Sequence, residues 1–247
     1  MITAQPHNYF RKADASADCS LGNVLFTIAG VIGTAVKNKY AYGFKKWINQ
    51  EYFLNPLPNV DGTNFRPFRV PLNYKGFDVG FQRFLVPDNT IINGYFGSRK
   101  YFEDCENLIR HYFSMKVLCE SYKDCILVHY RNYNTQQRLT MASLGETYYK
   151  EALKRLPSKK VVVVTDNIDV ARKTIKIKGD YVSNSPIMDF YLLTQADYLI
   201  ASNSTFSWWG AWLSGAQTIV PSVYFDGDFK DCPVNLKEFY CDNWRMV

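Results

Sequence analysis

Val161–Asp166, VVVVTD, decides the fold class. Four β-branched residues in a row suit a pleated surface and crowd a helix. The run is continuous rather than alternating, as in a strand of a parallel sheet covered on both faces. Working outward, Ile168–Ile175 reads as a short helix capped by Asp166 or Asn167. Asp180–Ser183 reads as a weaker strand and Met188–Ala196 as a helix. Tyr198–Ser202 is again a strand, Thr205–Leu213 a helix and Thr218–Pro221 a strand. Upstream, Cys125–Tyr130 (CILVHY) is an apolar run of strand length. Ser143 and Glu146 form a capping-box pair ahead of Tyr149, Ala152, Leu153 and Leu156 at helical spacing. The order β-α-β-α-β-α-β is that of an open parallel sheet with helices on both faces.

The N-terminal half is less regular. Asn23 to about Asn38 reads as a long helix, and Tyr40–Phe44 and Thr90–Phe96 as strands. Phe102, Cys105, Ile109 and Phe113 mark a second helix, while Asn55–Tyr74, rich in Pro, Asn and Arg, reads as a loop. The expected architecture is α/β with two lobes facing a cleft, the division falling near residues 114–124. A chain of 247 residues suffices for two lean lobes.

Apolar residues at 47% and charged ones at 21% exclude a disordered or low-complexity chain. The net charge of +6 suits a phosphorylated small molecule, an anionic membrane or nucleic acid. Absence of a basic run with interleaved aromatics argues against nucleic acid. Val24–Val36, broken by Thr27 and Thr34, is shorter than the roughly 20 residues of a spanning helix and reads as a buried one. The first residues lack the apolar run of a signal peptide. The six cysteines form no CxxC pair, and His7, His111 and His129 lack ligand spacing. The expectation is a cytoplasmic protein with reduced thiols, no transmembrane segment and no structural metal.

In such sheets ligands sit beyond the carboxyl ends of the strands. Three predicted ends carry polar groups: His129-Tyr130-Arg131, Thr165-Asp166-Asn167 and Ser202 through Ser207. The last runs into a helix, whose N-terminus attracts anions. Ser204, Thr205 and Ser207 add hydroxyl donors there. Arg131 brings a fork that matches phosphate oxygens. Asp166 is an acceptor for two N–H groups of a purine edge such as guanine. Singly, each has a plainer role: an N-cap, a cap of the next helix, a surface arginine. Their convergence on one edge favours a nucleoside diphosphate. Trp208, Trp209 and Trp212 suit the core. Asn203-Ser204-Thr205 has the form of a glycosylation sequon, which a cytoplasmic chain does not use. Asp226-Gly227-Asp228 has the DxD form that holds a divalent cation with a diphosphate, but its loop position favours a turn.

Ser202–Leu213, SNSTFSWWGAWL, resembles the NSTFSWWGAWL signature of the α-1,2-fucosyltransferase family, glycosyltransferase family eleven. Val128–Arg131 resembles the start of its HxRRGDY motif, Leu21–Ala29 its GLGNQxFQ segment and Gly94–Phe102 its GYFQ…YF segment. Tyr148-Tyr149, Val163–Asn167 and Pro221 to Phe225 also fall in order, so the likeness runs from about Leu21 onward. Two stretches depart from it. The family's RRGDY is here Arg131-Asn132-Tyr133-Asn134-Thr135, and its SDD is Thr165-Asp166-Asn167.

The resemblance implies a GT-B-like α/β fold of two Rossmann-like lobes facing a cleft, residues 1–118 on the acceptor side and 119–247 binding the nucleotide sugar. It implies inverting, metal-independent transfer of L-fucose from GDP-β-L-fucose to the 2-hydroxyl of a galactoside, with no cofactor besides that donor. It implies that Arg131 and the Ser204, Thr205 and Ser207 cluster hold the diphosphate. His129 and Asp166 would lie at or near the guanosine, and Gly22 and Asn23 at the cleft. Fixed donors at the leaving diphosphate stabilise developing charge. The sequence does not identify the general base: Asp14, Asp18 and Glu103 are candidates on the acceptor lobe, and each has the plainer reading of a surface carboxylate. Two alternatives stand beside this reading: a metal-dependent transferase of another nucleotide sugar, and a non-catalytic nucleotide- or glycan-binding relic suggested by the altered RRGDY stretch.

Overall fold

The structure, a computed structural model, describes residues 1–4, 21–62, 64–133 and 140–247. It divides into two compact units, Met1–Lys116 with Pro233–Phe239, and Val117–Cys232 with Tyr240–Val247. The stretch Pro233–Phe239, which the sequence order leaves with the C-terminal half, thus packs with the first unit.

Among the described residues, the first unit has a three-stranded parallel sheet. Its strands are β1 (Ile2–Ala4), β2 (Arg66–Arg69) and β3 (Thr90–Asn93), in the order β1-β3-β2. β2 lies inside the stretch expected to be a loop. It is a mostly exposed edge strand that carries Pro67, and an edge tolerates the missing N–H. Tyr40–Phe44, expected as a strand, makes only isolated bridges, from Tyr42 to Ile2 and from Phe44 to Asn59.

The long helix α1 (Leu21–Asn38) passes the length and composition test for a membrane span, yet 72% of it is buried within the protein. It packs through small residues. A Cβ on Gly30 would stand 2.2 Å from the Phe96 ring, and one on Gly33 only 1.9 Å from the Tyr101 carbonyl oxygen. Phe26 stacks on Phe239 at 6.1 Å, which ties in the returning C-terminal stretch. The second helix, α2 (Glu106–Phe113), buries Ile109 and Phe113. Much of this unit's aromatic content is core: Phe26, Phe53, Phe96, Phe102 and Phe113 are all buried.

The second unit follows the expected alternation: β4 (Cys125–Tyr130), α3 (Glu146–Leu153), β5 (Lys160–Thr165), α4 (Ile168–Ile175), β6 (Asp180–Val182), α5 (Pro186–Thr194), β7 (Tyr198–Ile200), α6 (Thr205–Ser214), β8 (Gln217–Val220) and β9 (Arg245–Met246). The strands are parallel in the order β6-β5-β4-β7-β8-β9. Counted from β4 this is 3-2-1-4-5-6, the doubly wound order of dinucleotide-binding sheets. All of β4 and the centre of β5 are buried, as the continuous apolar runs require. Trp208, Trp209 and Trp212 of α6 are core, with Trp208 also edge-on to Trp244 at 5.5 Å. Asn167 is the cap of α4, accepting from the Val170 N–H at 3.0 Å. The Ser143–Glu146 capping box does not form. Gly145 is the N-cap of α3, and Glu146 pairs with Lys150 and Lys176 instead.

Candidate active site

Winding reverses between β4 and β7, which are direct neighbours, so a crevice opens beyond their carboxyl ends. Val128 is in register with Ile200. His129, Tyr130 and Arg131 therefore emerge beside Ala201 through Ser204. On the other side Tyr130 is in register with Thr165, which brings the next residues, Arg131 and Asp166, together. Arg131 Nη1 donates to Asp166 Oδ2 at 2.5 Å, and the Asn132 N–H donates to Oδ1 at 3.0 Å. Both carboxylate oxygens thus accept from the chain itself. Asp166, expected to read a purine edge, here positions Arg131 and the turn after β4. Arg131, Tyr133 and Asn203 border one small pocket with Ser143 and Leu144.

His129 is buried, its Nδ1 2.8 Å from Ser202 Oγ and its ring stacked on Phe206 at 5.3 Å. Burial pushes its pKa down to about 3, with Arg131 adding to the effect. It is a neutral brace across the switch point, turned into the protein. Ser204 caps α6, accepting from the Phe206 N–H at 3.2 Å, and Ser204 and Thr205 are partly exposed at the helix start. Ser207 departs from expectation. It is fully buried, and its Oγ lies 3.1 Å from the Ser202 carbonyl and 3.2 Å from that of Ser204. One turn into the helix it faces the core and fastens the loop, so it is not a hydroxyl open to an anion.

Gly22 and Asn23 stand in the first turn of α1, in the first unit, with Gly22 buried. Glu103 is exposed on a short 3-10 turn of that unit. Asp14 and Asp18, the other candidate bases, and Asn134 and Thr135 of the altered stretch lie outside the described residues. Asp226 of the DxD sequence accepts from the Gly227 N–H at 2.7 Å as the cap of a turn. Among the described residues no group of three or more His, Cys, Asp or Glu is placed to hold a metal ion.

Several side chains given no role by the sequence reading hold the site together. Tyr133 Oη donates to the Asn203 carbonyl at 2.6 Å and Tyr148 Oη to that of Ala201 at 2.6 Å. Tyr149 Oη donates to the His129 carbonyl at 3.1 Å. Asn203 Nδ2 donates to the carbonyls of Ala142 and Tyr224, both at 2.8 Å. These phenols and the amide fix the two crossing loops, and Asn203, at 1% exposure, is closed to glycosylation. Asp189, buried in the first turn of α5, accepts from the Asn184 N–H at 3.2 Å and from Asn184 Nδ2 at 2.8 Å. Burial pushes its carboxyl up to about 6, opposed by the Asn184 bonds and helped by the nearby Asp166 charge. The family-like stretches include Tyr133, Tyr148, Tyr149 and Asn203 but do not show these bonds, and Asp189 carries no sequence signal.

The site thus pairs an oriented guanidinium with a capped helix N-terminus, a combination suited to an anion such as a diphosphate. Residues 35–247 match the family model described as glycosyl transferase family 11. The galactoside alpha-(1,2)-fucosyltransferase 2 of Pongo pygmaeus is 39% identical over 59 residues, 24% of this chain and 17% of that protein. The alpha-1,2-colitosyltransferase of Escherichia coli is 32% identical over 106 residues, 36% of this chain and 37% of that protein. The matches therefore span well under half the length of these curated relatives. Among solved structures, NodZ alpha-1,6-fucosyltransferase soaked with GDP-fucose is 15% identical, with a TM-score of 0.47 over 78% of this chain and 89% of that one. Arabidopsis thaliana FUT1, as a mutant in complex with GDP, is 10% identical, with a TM-score of 0.48 over 89% and 69%. With the family model covering most of its length, the chain belongs to glycosyl transferase family 11.

Proposed function

We propose that the chain is a fucosyltransferase. It moves L-fucose from GDP-β-L-fucose to the 2-hydroxyl of a galactoside, with inversion, without a metal and in the cytoplasm. The observation that carries this reading is Arg131, held by Asp166 at the edge where Ser204 and Thr205 open the N-terminus of α6. In the reaction the acceptor oxygen attacks the anomeric carbon from the face opposite the diphosphate. The bond from that carbon to the phosphate oxygen breaks, GDP leaves with the electron pair, and the acceptor proton passes to a base. Charge grows on the leaving diphosphate, so fixed donors there stabilise the transition state more than the ground state. His129 stays neutral and serves as a brace.

A second reading keeps the mechanism and changes the sugar. The Escherichia coli relative is a colitosyltransferase and matches a larger share of this chain than the Pongo pygmaeus enzyme does. A panel of GDP-L-fucose, GDP-L-colitose and other GDP-sugars against a galactoside, with and without EDTA, tests both readings. Fucosyl transfer resistant to EDTA, with an α-1,2 linkage by NMR, is the expected result. Faster transfer from GDP-L-colitose selects the second reading. Loss of turnover with EDTA overturns metal independence. Calorimetric binding of GDP without transfer or hydrolysis of any donor would mark a relic.

A further inference from the structure

The first unit carries a groove of about 330 Å3 that the proposed reaction does not use. Its lining includes three cations, Lys37, Arg83 and Lys100, and three apolar side chains, Phe81, Phe84 and Leu85. Lys100 pairs with Glu238 at 2.9 Å, and its Nζ sits 5.9 Å above the Phe81 ring. Lys37 and Arg83 are exposed, and among the described residues neither has an ion-pair partner. Leu85 is 88% exposed. Beside Lys37, Val36 is 40% exposed.

This lip is built and held. Tyr101 Oη accepts from the Gln82 N–H at 2.9 Å, and Gln82 Nε2 donates to the Pro71 carbonyl at 3.0 Å. Phe81 and Phe84 both pack on the Tyr101 ring, at 4.9 and 6.0 Å. Leu85, immediately after these anchored residues, is thereby presented to solvent. Two uncompensated cations, Lys37 and Arg83, beside a protruding apolar side chain combine attraction to anionic headgroups with burial of apolar area at the bilayer surface. The cations attract headgroup phosphates and the apolar group enters the acyl boundary. A folded acidic partner would satisfy the charges but needs its own pocket for Leu85, whereas a bilayer accepts a single projecting side chain anywhere.

We propose that this groove docks the first unit on an anionic lipid bilayer, with Lys37 and Arg83 against headgroup phosphates and Leu85 inserted beyond them. The test is co-sedimentation of the full chain with vesicles of equimolar phosphatidylglycerol and phosphatidylcholine, and with phosphatidylcholine alone. The wild type should partition onto the anionic vesicles, come off at high salt and leave the neutral ones bare. Lys37→Glu with Arg83→Glu should weaken binding about thirtyfold or more, each cation near the surface contributing severalfold. Leu85→Ser should weaken it about threefold to tenfold. Lys173→Glu with Lys178→Glu, exposed in the second unit, makes the same change in net charge and should leave binding as in the wild type. Thermal melting followed by circular dichroism confirms that each variant is folded. Failure of the wild type to bind anionic vesicles overturns the proposal. So does equal loss in the Lys173/Lys178 variant, which would reduce the effect to net charge. Wild-type binding by Leu85→Ser overturns it too, and would point to an acidic macromolecule as the partner.

Discussion

The two units cover parallel sheets by opposite means. The second unit buries β-branched strands under regularly spaced helices, and its polar crossing loops are pinned by side chains: Asp166 on Arg131, His129 on Ser202, and tyrosine hydroxyls on the carbonyls of His129, Ala201 and Asn203. The first unit has three short strands, isolated bridges and one apolar helix seated through glycines against Phe96 and Tyr101. Geometry in the second unit is thus distributed over many bonds, while in the first it rests on a few close approaches. Preorganised anion donors belong in the former kind of structure, because a displacement of about 1 Å can cost on the order of a hundredfold in rate.

Arg131→Ala is the largest break in that contrast. It should lower kcat/KM for GDP-sugar transfer by about 10²–10³, while the melting transition by circular dichroism barely moves. Turnover like that of the wild type would remove Arg131 from the site. Gly33→Ala comes next and strikes the other unit. Its methyl meets a backbone carbonyl that cannot turn aside, so urea unfolding should show a loss of about 3 kcal/mol. A neutral result would mean that α1 is loosely seated. Asp189→Asn is smaller and of opposite sign. A buried carboxyl whose pKa rises to about 6 binds more protons folded than unfolded, so its penalty grows as pH rises from about 4 to 6 and is complete above 6. The amide keeps an acceptor for Asn184. The variant should therefore be more stable than the wild type at pH 7, by about 2 kcal/mol, with the advantage gone near pH 4. Smallest is Asn167→Ala, which removes the cap of α4 and should cost about 1 kcal/mol in the same unfolding measurement.

Legibility in the sequence follows the same division. β4, β5 and α6 could be read because each carries its whole signal locally, in continuous branched apolar residues or a capped aromatic helix. β2 could not. Arg66–Arg69 is mostly exposed, contains a proline, and becomes a strand only because β3 offers it an edge. β1 is too short for periodicity to register. At the site, strand ends gave the positions of Arg131, Asp166 and Ser204 but not their partners. The mutual pairing of Arg131 and Asp166 comes from register between β4 and β5, which no local pattern encodes. Ser207 was misread for a related reason: its proximity in sequence to the helix start hid the inward direction of its side chain. The Ser143–Glu146 box lost to electrostatics, since Glu146 gains two lysines by leaving it.

The brace at the switch point changes how a pH–rate profile of the proposed transfer should be assigned. An inflection near pH 6 in a site with one histidine is habitually given to the imidazole. Here the imidazole is sealed against Ser202 and Phe206, and burial pushes its pKa down to about 3, which keeps it neutral over the range in which enzymes are assayed. Burial instead pushes the carboxyl of Asp189, which grips Asn184 just past β6 with Asp166 close by, up to about 6. A limb at that pH should vanish in Asp189→Asn and survive in His129→Gln, which makes an aspartate the site's proton gauge.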